Sequence, residues 1–190
     1  FGLEFDVSPD VLIPRPETEI LVEKVIEILS DRRSPVVFCE VGIGSGCISV
    51  AILREFGSTI AIGLDISEKA LEMAGRNARK HIVADRLSLQ MSSVYDALES
   101  QKFDVIVSNP PYVPAADIQS LQSEVRDFEP RLALTDGGDG LSIIEKIVAD
   151  APRYLKSDGH LLIEIGFSQS NSVAEMFDPK LWLPLDFLPD

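Results

Sequence analysis

The run Phe103–Ser108 is rich in Val and Ile and leads directly into two consecutive prolines. A short β-branched run of this kind is typical of a strand buried on both faces, as found in parallel sheets. Pro110 and Pro111 end the strand, because proline lacks a backbone N–H and fixes φ. The carboxyl end of the strand therefore carries a rigid corner with an amide side chain, Asn109, and an aromatic ring, Tyr112. Ligands of open α/β sheets bind beyond this end of the strands, so we expect the corner to contact a ligand.

The rest of the chain alternates short apolar runs with helix-forming segments. The other predicted strands of the sheet are residues 36–41, 60–64, 87–91 and 161–165, and the predicted helices are residues 16–29, 47–56, 67–80 and 141–155. This alternation predicts an α/β fold with a parallel, doubly wound sheet. Near the ends of the chain, the pattern predicts a half-buried strand over residues 1–7, a short helix over 169–177 and a final strand over 181–188. Residues 115–139 have weak periodicity, and so long a loop is more often a functional lid than a spacer.

Bulk composition limits the classes of protein and partner. The 190 residues are enough for one domain with a full core. No apolar run approaches the roughly 20 residues that a membrane span needs. The formal net charge of −14 argues against duplex nucleic acid as the main partner and mildly favours a basic protein partner. The two cysteines, Cys39 and Cys47, fit neither a metal pattern nor a redox pair, so a reducing cytoplasm is the expected compartment.

A glycine loop, residues 42–46, stands between the predicted strand 36–41 and the helix that follows it, so its backbone amides can approach a ligand closely. It is not a P-loop, because no Lys-Ser/Thr pair follows Gly46. Asp65, at the end of the next strand, could accept hydrogen bonds from both hydroxyls of a ribose. A nucleoside without a phosphate fits this pair of features, and S-adenosylmethionine (SAM) is such a ligand. The alternative is a structural turn followed by a surface acid, which accounts less well for both features occurring in register.

The corner after the strand Phe103–Ser108 presents two hydrogen-bond acceptors, the side-chain oxygen of Asn109 and the carbonyl of Pro110. Together they could hold both hydrogens of a planar –NH2 group and direct its nitrogen at a methyl donor, while Tyr112 stacks on the flat group. An amide or exocyclic amine is a poor nucleophile, so rate must come largely from positioning and electrostatics. The alternative is a strand exit that is merely stiffened by proline.

Four motifs resemble those of the peptide chain release factor glutamine methyltransferases, the HemK type of SAM-dependent methyltransferase. They are Ile13-Pro14-Arg15-Pro16-Glu17-Thr18-Glu19, Asn109-Pro110-Pro111-Tyr112, Glu129-Pro130-Arg131-Leu132-Ala133-Leu134 with Gly138-Asp139-Gly140-Leu141, and Glu164-Ile165-Gly166 with Gln169. The Asn-Pro-Pro-Tyr corner alone is shared with adenine-specific DNA methyltransferases, whereas the first motif is much more specific. The resemblance extends over nearly the whole chain and implies a Rossmann-like class I SAM-dependent methyltransferase fold.

The resemblance also implies a reaction and a set of site residues. SAM would methylate the side-chain amide nitrogen of the glutamine in the Gly-Gly-Gln motif of a release factor, a protein methylation linked to translation termination, and leave as S-adenosylhomocysteine. By this resemblance, the methionine part of SAM would be bound by Gly42, Ile43, Gly44, Ser45 and Gly46. Asp65 would bind the ribose, Tyr95 would contact the adenine, and Arg15 and Thr18 would close the cofactor side. The target glutamine would be bound by Asn109, Pro110, Pro111 and Tyr112. Catalysis falls to Asn109, Pro110 and Tyr112, with Asn109 also near the donor.

Several features depart from the family pattern. Glu40 replaces the usual Asp before the glycine loop, and Ile43 and Ser93 stand where Thr and Asp are commoner. We expect residues 1–190 to be one catalytic domain that lacks the family's N-terminal helical docking domain and its last strand. Direct methyl transfer to nitrogen needs no metal, and neither membrane nor direct nucleic-acid binding is expected. Two other functions stay open: methylation of an exocyclic amino group of a DNA or RNA base, and SAM binding without turnover.

Overall fold

The computed structural model describes residues 1–32 and 35–189 and contains a parallel sheet of five strands. The strands in chain order are β1 Val37–Val41, β2 Ile60–Asp65, β3 Leu87–Met91, β4 Phe103–Ser108 and β5 Leu155–Ile163. Their order across the sheet is β3-β2-β1-β4-β5, and every adjacent pair is parallel. The chain thus builds outward from β1 to β3 and then returns to place β4 on the other side of β1. The boundary between β1 and β4 is the topological switch point, where ligands of such sheets bind.

Helices connect the strands and cover both faces of the sheet. They are α1 Thr18–Ser30, α2 Cys47–Glu55, α3 Glu68–Lys80, α4 Ser123–Phe128, α5 Arg131–Leu134, α6 Ser142–Tyr154 and α7 Ser170–Ala174, with 3-10 turns at Ala84–Arg86 and Ala115–Ser120. The predicted cap of α3 is confirmed, because the side chain of Ser67 accepts a hydrogen bond from the amide of Ala70.

The apolar core lies in two layers, one on each face of the sheet. On one face, α1, α2 and α3 pack against side chains such as Phe38 and Val105. On the other face, α6 and the loop after β3 pack against Cys39, Leu64 and Ile106. All six residues of β4 are buried, as its Val- and Ile-rich sequence predicts for a strand covered on both faces. The predicted doubly wound architecture is confirmed.

The prediction for β5 was placed too far along the chain. The strand begins at Leu155, within a polar stretch whose sequence is typical of a turn. Leu155 pairs with Phe103, and the register then shifts so that His160 pairs with Val105. The residues between them form an irregularity in the strand pairing, which the alternation of apolar and polar residues in the sequence does not predict.

The two predicted terminal strands are wrong. Residues 1–7, all within the described part of the chain, form no strand, although Leu3 and Phe5 do pack against the core. The backbone of this segment bonds to side chains of α3 instead, since Asn77 accepts from the amide of Asp6 at 2.8 Å and donates to its carbonyl at 2.9 Å. Residues 181–188 are described and also form no strand, and Leu183 there is largely exposed.

Among the described residues, no helix is both long enough and apolar enough to cross a membrane.

Candidate functional site

The loops after β1 and β4 meet at the switch point of the sheet. The hydroxyl of Ser108, at the end of β4, donates to the carbonyl of Val41, at the end of β1, across 2.7 Å. One residue further along each strand, a Cβ built on Gly42 would lie 4.0 Å from the carbonyl oxygen of Asn109. The glycine loop and the Asn-Pro-Pro-Tyr corner, which the sequence places 67 residues apart along the chain, therefore lie side by side.

The glycine loop turns its backbone toward the cleft and its larger side chains into the core. Gly42 is exposed, whereas Ile43 and Ser45 are buried. Gly46 has φ +79°, and a Cβ there would lie 3.1 Å from the Cβ of Ala74 on α3. Only glycine fits this left-handed position, which lets α2 start directly against α3. The loop therefore offers backbone groups and a helix N-terminus to a ligand.

Asp65 lies at the carboxyl end of β2, next to the glycine loop. Its Oδ2 accepts from the amide of Gly44 and its Oδ1 from the amide of Ser67, each at 2.9 Å. Burial raises the pKa of this carboxyl, while the backbone hydrogen bonds from Gly44 and Ser67 act in the opposite direction. A carboxylate oxygen can accept more than one hydrogen bond, so both oxygens retain acceptor capacity for hydroxyl groups.

Glu40, the acid that precedes the glycine loop, is buried inside the protein. Its carboxyl accepts from the amide of Ser49 at 2.9 Å and also from the Ser49 hydroxyl, near the start of α2. Burial raises the pKa of Glu40 from 4.5 to about 8, although both hydrogen bonds from Ser49 act to lower it. This acid is therefore mostly protonated at pH 7 and ties β1 to α2.

The amide of Asn109 belongs to a hydrogen-bonded network that joins three separate parts of the chain. Its Nδ2 donates to Oγ1 of Thr18 at 3.1 Å, and Oγ1 of Thr18 donates to Oε2 of Glu164 at 2.8 Å. The hydroxyl of Tyr112 donates to the other oxygen of Glu164, Oε1, at 3.2 Å. Burial raises the pKa of Glu164, and the hydrogen bonds from Thr18 and Tyr112 act to lower it.

The main chain of the corner is held from the side of Tyr112. The buried Gln169 donates from Nε2 to the carbonyl of Tyr112 at 2.9 Å and accepts from the amide of Gly166 at 2.8 Å. Gly140, with φ +79°, lies against the same Tyr112 carbonyl so closely that a Cβ would clash with it. The predicted motifs around Gly140 and Gln169 are therefore structural supports of the corner.

The predicted lid, residues 115–139, is an ordered segment that contains a 3-10 turn and the short helices α4 and α5. It joins the N-terminal segment through an ion pair of 2.7 Å between Arg15 and the buried Glu129. The second oxygen of that carboxylate, Oε2, finds no hydrogen-bond partner among residues 1–32 and 35–189. Burying a carboxylate requires a counter-charge, so Arg15 keeps this end of the segment in place, and its role as a lid stays a prediction.

A cavity of about 270 Å3 lies between the N-terminal segment, α1 and α2. Arg15 and Thr18 line it together with Cys47, the first residue after the glycine loop. This location is compatible with the predicted role of Arg15 and Thr18 in closing the cofactor side, which stays a prediction.

The methyltransferase small domain family matches residues 17–127, more than half of the chain. The chain belongs to this family. The matched range contains both parts of the site described above, the glycine loop with Asp65 and the Asn-Pro-Pro-Tyr corner.

Relatives of this methyltransferase domain extend over almost all of the chain. The release factor glutamine methyltransferase of Geobacter sulfurreducens is 44% identical over 178 residues, which are 93% of this chain and 60% of that protein. The protein of the same name from Nitratidesulfovibrio vulgaris is 44% identical over 185 residues, which are 96% of this chain and 62% of that protein. The predicted resemblance is confirmed, and the chain spans less than two thirds of the length of these relatives.

Solved structures share the fold. A methyltransferase from Pyrococcus furiosus superposes with a TM-score of 0.65 at 20% identity, covering 93% of this chain and 77% of that one. The predicted class I SAM-dependent methyltransferase fold is therefore confirmed at the level of architecture.

Within this methyltransferase domain, Tyr95 is not an exposed side chain of the cleft. It is 3% exposed, its ring centroid lies 4.9 Å from that of Tyr154, and its hydroxyl donates to the carbonyl of Ile147 across 3.4 Å. Both partners belong to α6, so the ring is part of the core on that face. The predicted adenine contact of Tyr95 stays a prediction, and this packing does not favour direct stacking.

Two apolar residues that the sequence analysis did not single out lie at the same edge of the sheet as Asp65. Ile66 follows Asp65 and is 62% exposed, while Met91 pairs with Asp65 at the end of β3 and is 66% exposed. If Asp65 holds a ribose, as predicted, these exposed apolar side chains would suit the flat face of the attached base. The alternation of apolar and polar residues along a strand does not predict their exposure, because exposure at the end of a strand depends on what the neighbouring loops cover.

Proposed function

We propose that this chain is the catalytic domain of a methyltransferase that transfers a methyl group from SAM to the side-chain amide nitrogen of the glutamine in the Gly-Gly-Gln motif of peptide chain release factors. The observation that carries the proposal is the closeness of Gly42 to the Asn109 carbonyl at the switch point, where a Cβ built on Gly42 would lie 4.0 Å from that oxygen. This closeness supports a reaction between a nucleoside-type ligand on the glycine loop and an –NH2 group at the corner. The relatives named for this activity support the choice of a protein glutamine as substrate.

The residues at this edge fit SAM. Gly42 and Gly44 present backbone without side chains, the half-buried Asp65 has acceptor capacity for the ribose, and Ile66 and Met91 offer apolar surface for the adenine. The methionine part would lie along residues 42–46, at the start of α2, as the family resemblance implies. When bound, SAM supplies an electrophilic methyl group and leaves as S-adenosylhomocysteine.

The corner supplies positioning. Oδ1 of Asn109 and the carbonyl of Pro110 accept the two hydrogens of the target amide, which fixes the nitrogen between them. Pro110 and Pro111 keep the backbone rigid, and the ring of Tyr112 lies beside the plane of the amide. Holding a weak nucleophile in the reactive orientation removes much of the entropic barrier, and the two acceptors stabilise the positive charge that develops on its nitrogen. The new N–C bond replaces one N–H bond, and that proton leaves to water.

A methyl-transfer assay with a purified release factor tests the proposal. Labelled SAM is incubated with the chain and with either the intact factor or a version whose Gly-Gly-Gln glutamine is changed to alanine. A second arm uses the chain joined to the helical docking region of a relative, so that weak docking is not mistaken for absent chemistry. Label in the intact factor only is the expected result.

An Asn109→Ala variant provides the matched control, because it should bind SAM and transfer nothing. Label in both versions of the factor, or in neither with either form of the enzyme, would refute the proposal. Label appearing instead in a DNA or RNA oligonucleotide would move the function to a base amine.

A further inference from the structure

The orientation of the Asn109 amide follows from the chemistry of its neighbours. Both carboxyl oxygens of Glu164 accept hydrogen bonds, Oε1 from Tyr112 and Oε2 from Thr18, so the Thr18 hydroxyl, 2.8 Å away, gives Glu164 its single hydrogen. The Thr18 oxygen can then act only as an acceptor toward Asn109, at 3.1 Å. An acceptor there must be met by the –NH2 end of the Asn109 amide. The carbonyl end, Oδ1, is consequently the one left for a ligand.

The network has a second branch that ends on the same carboxylate. Tyr112 donates its hydroxyl to Oε1 of Glu164 at 3.2 Å, while Thr18 occupies Oε2. Glu164 therefore determines the position of two side chains of the corner, one directly and one through Thr18. It lies just beyond the end of β5, where its amide donates to the carbonyl of Ser108, and Thr18 opens α1. Thr18 belongs to α1 and Glu164 directly follows β5, and both of these elements pack against β4, so the network is anchored next to the sheet and not to a loop alone.

We propose that Glu164 and Thr18 are positioning residues of the methyltransferase, which hold the Asn109 amide with Oδ1 toward the target nitrogen and fix Tyr112 beside it. This inference rests on the proposed function and deepens it. Neither residue needs to touch the substrate. If the Asn109 amide were free to turn over, its –NH2 end would face the –NH2 of the target, and two donors would repel each other.

Thr18→Val and Thr18→Ser separate the orienting role from packing. Valine has nearly the shape of threonine but can neither accept from Asn109 nor donate to Glu164. Serine keeps the hydroxyl. We expect Thr18→Val to lower kcat by about tenfold to a hundredfold, the scale of losing exact placement at a reacting atom. The KM for the release factor should change much less, and Thr18→Ser should recover most of kcat.

Thr59→Val is the matched control for removing a buried threonine hydroxyl. Thr59 is 2% exposed and precedes β2, at the end of the sheet opposite the site. Its variant should keep the parent kcat. Equal losses of kcat in Thr18→Val and Thr59→Val, a parent-like kcat in Thr18→Val, or no recovery in Thr18→Ser would overturn the proposal.

Glu164→Gln tests the direction of the network. A glutamine can turn its –NH2 toward Thr18, which would then donate its hydroxyl to Asn109 and reverse the amide. We expect kcat to fall while the fold is retained. A Glu164→Gln enzyme with the kcat of the parent would contradict the assigned direction.

An NMR measurement keeps this inference separable from the proposed function. The side-chain NH2 signals of Asn109, assigned with an Asn109→Asp variant, should show one proton protected from solvent exchange in the parent and in Thr18→Ser but not in Thr18→Val. Protection with no glutamine methylation would refute the function and retain the positioning role. Unprotected protons in the parent would refute the positioning role whatever the substrate is.

Discussion

The amide of Gly44 donates to Oδ2 of Asp65 across 2.9 Å. The carboxylate proposed to hold the ribose therefore also fixes the conformation of the loop proposed to hold the methionine part of the same ligand. Its other oxygen accepts from the amide of Ser67, at the cap of α3. Asp65 thus links three elements at one edge of the sheet, and changing it should affect cofactor binding both directly and through the loop.

Replacing Asp65 by alanine should weaken SAM binding by about tenfold or more, because hydrogen bonds to a charged acceptor are lost. Isothermal titration calorimetry measures the Kd. Asp10→Ala is the control, since it also removes one carboxylate, from an exposed ion pair with Lys69. Equal SAM affinity in Asp65→Ala and the parent would refute the ribose assignment.

Gly140→Ala should destabilise the domain by more than about 1 kcal/mol, because the new Cβ adopts an unfavourable φ and clashes with the carbonyl of Tyr112. Gly137→Ala isolates the effect of the clash, since Gly137 has φ +87° and a Cβ added there would meet nothing within 4 Å. Denaturant unfolding of both variants gives the two free energies. We expect Gly140→Ala to lose more unfolding free energy than Gly137→Ala and to transfer methyl groups more slowly. Similar losses of unfolding free energy in the two variants would show that the contact with Tyr112 is unimportant.

The strands β1 to β4 and the two main loops of the site could be predicted because they depend on local sequence. β4 was predicted with its correct bounds, since a short buried run followed by two prolines leaves little freedom. Local sequence was not sufficient to decide whether residues 1–7 form a strand. Its alternating pattern is real, but a strand also needs a partner, and the backbone of Asp6 instead meets the side chain of Asn77, 71 residues away.

The network behind Asn109 could not be predicted from sequence for a similar reason. Thr18 and Glu164 are 146 residues apart, and neither has an unusual local context. The motifs that contain them were recognised by resemblance, which does not tell which side chains meet. The packing of Tyr95 could not be predicted from sequence either: its ring packs on α6, and the predicted contact with the adenine stays a prediction.

Tyr95→Phe and Tyr95→Ala distinguish core packing from cofactor binding. Tyr95→Ala should destabilise the domain by about 3–5 kcal/mol, because it leaves a cavity between the sheet and α6. Tyr95→Phe keeps the ring and loses a hydrogen bond of 3.4 Å, so its cost should be below about 1.5 kcal/mol. Thermal unfolding and SAM calorimetry on both variants are the measurements. A stable Tyr95→Ala protein with much weaker SAM binding would instead support the adenine contact.

The stability of the domain should fall as pH rises through neutrality because of Glu40. Its pKa is raised from 4.5 to about 8 by burial, so the folded protein binds a proton that the unfolded chain has already lost in this range. Stability from this group is fully present below pH 4.5 and is lost progressively up to about pH 8.

Glu40→Gln imitates the protonated acid and keeps an acceptor for Ser49. Urea unfolding of both proteins at about pH 5, 6.5 and 8 should show the parent losing stability relative to Glu40→Gln as pH increases. Asp65 and Glu164, whose pKa values are also raised, are present in both proteins, so the difference between the proteins reports Glu40 together with its interaction with Asp65. A difference between the two proteins that is the same at all three pH values would mean that Glu40 is already ionised in the fold.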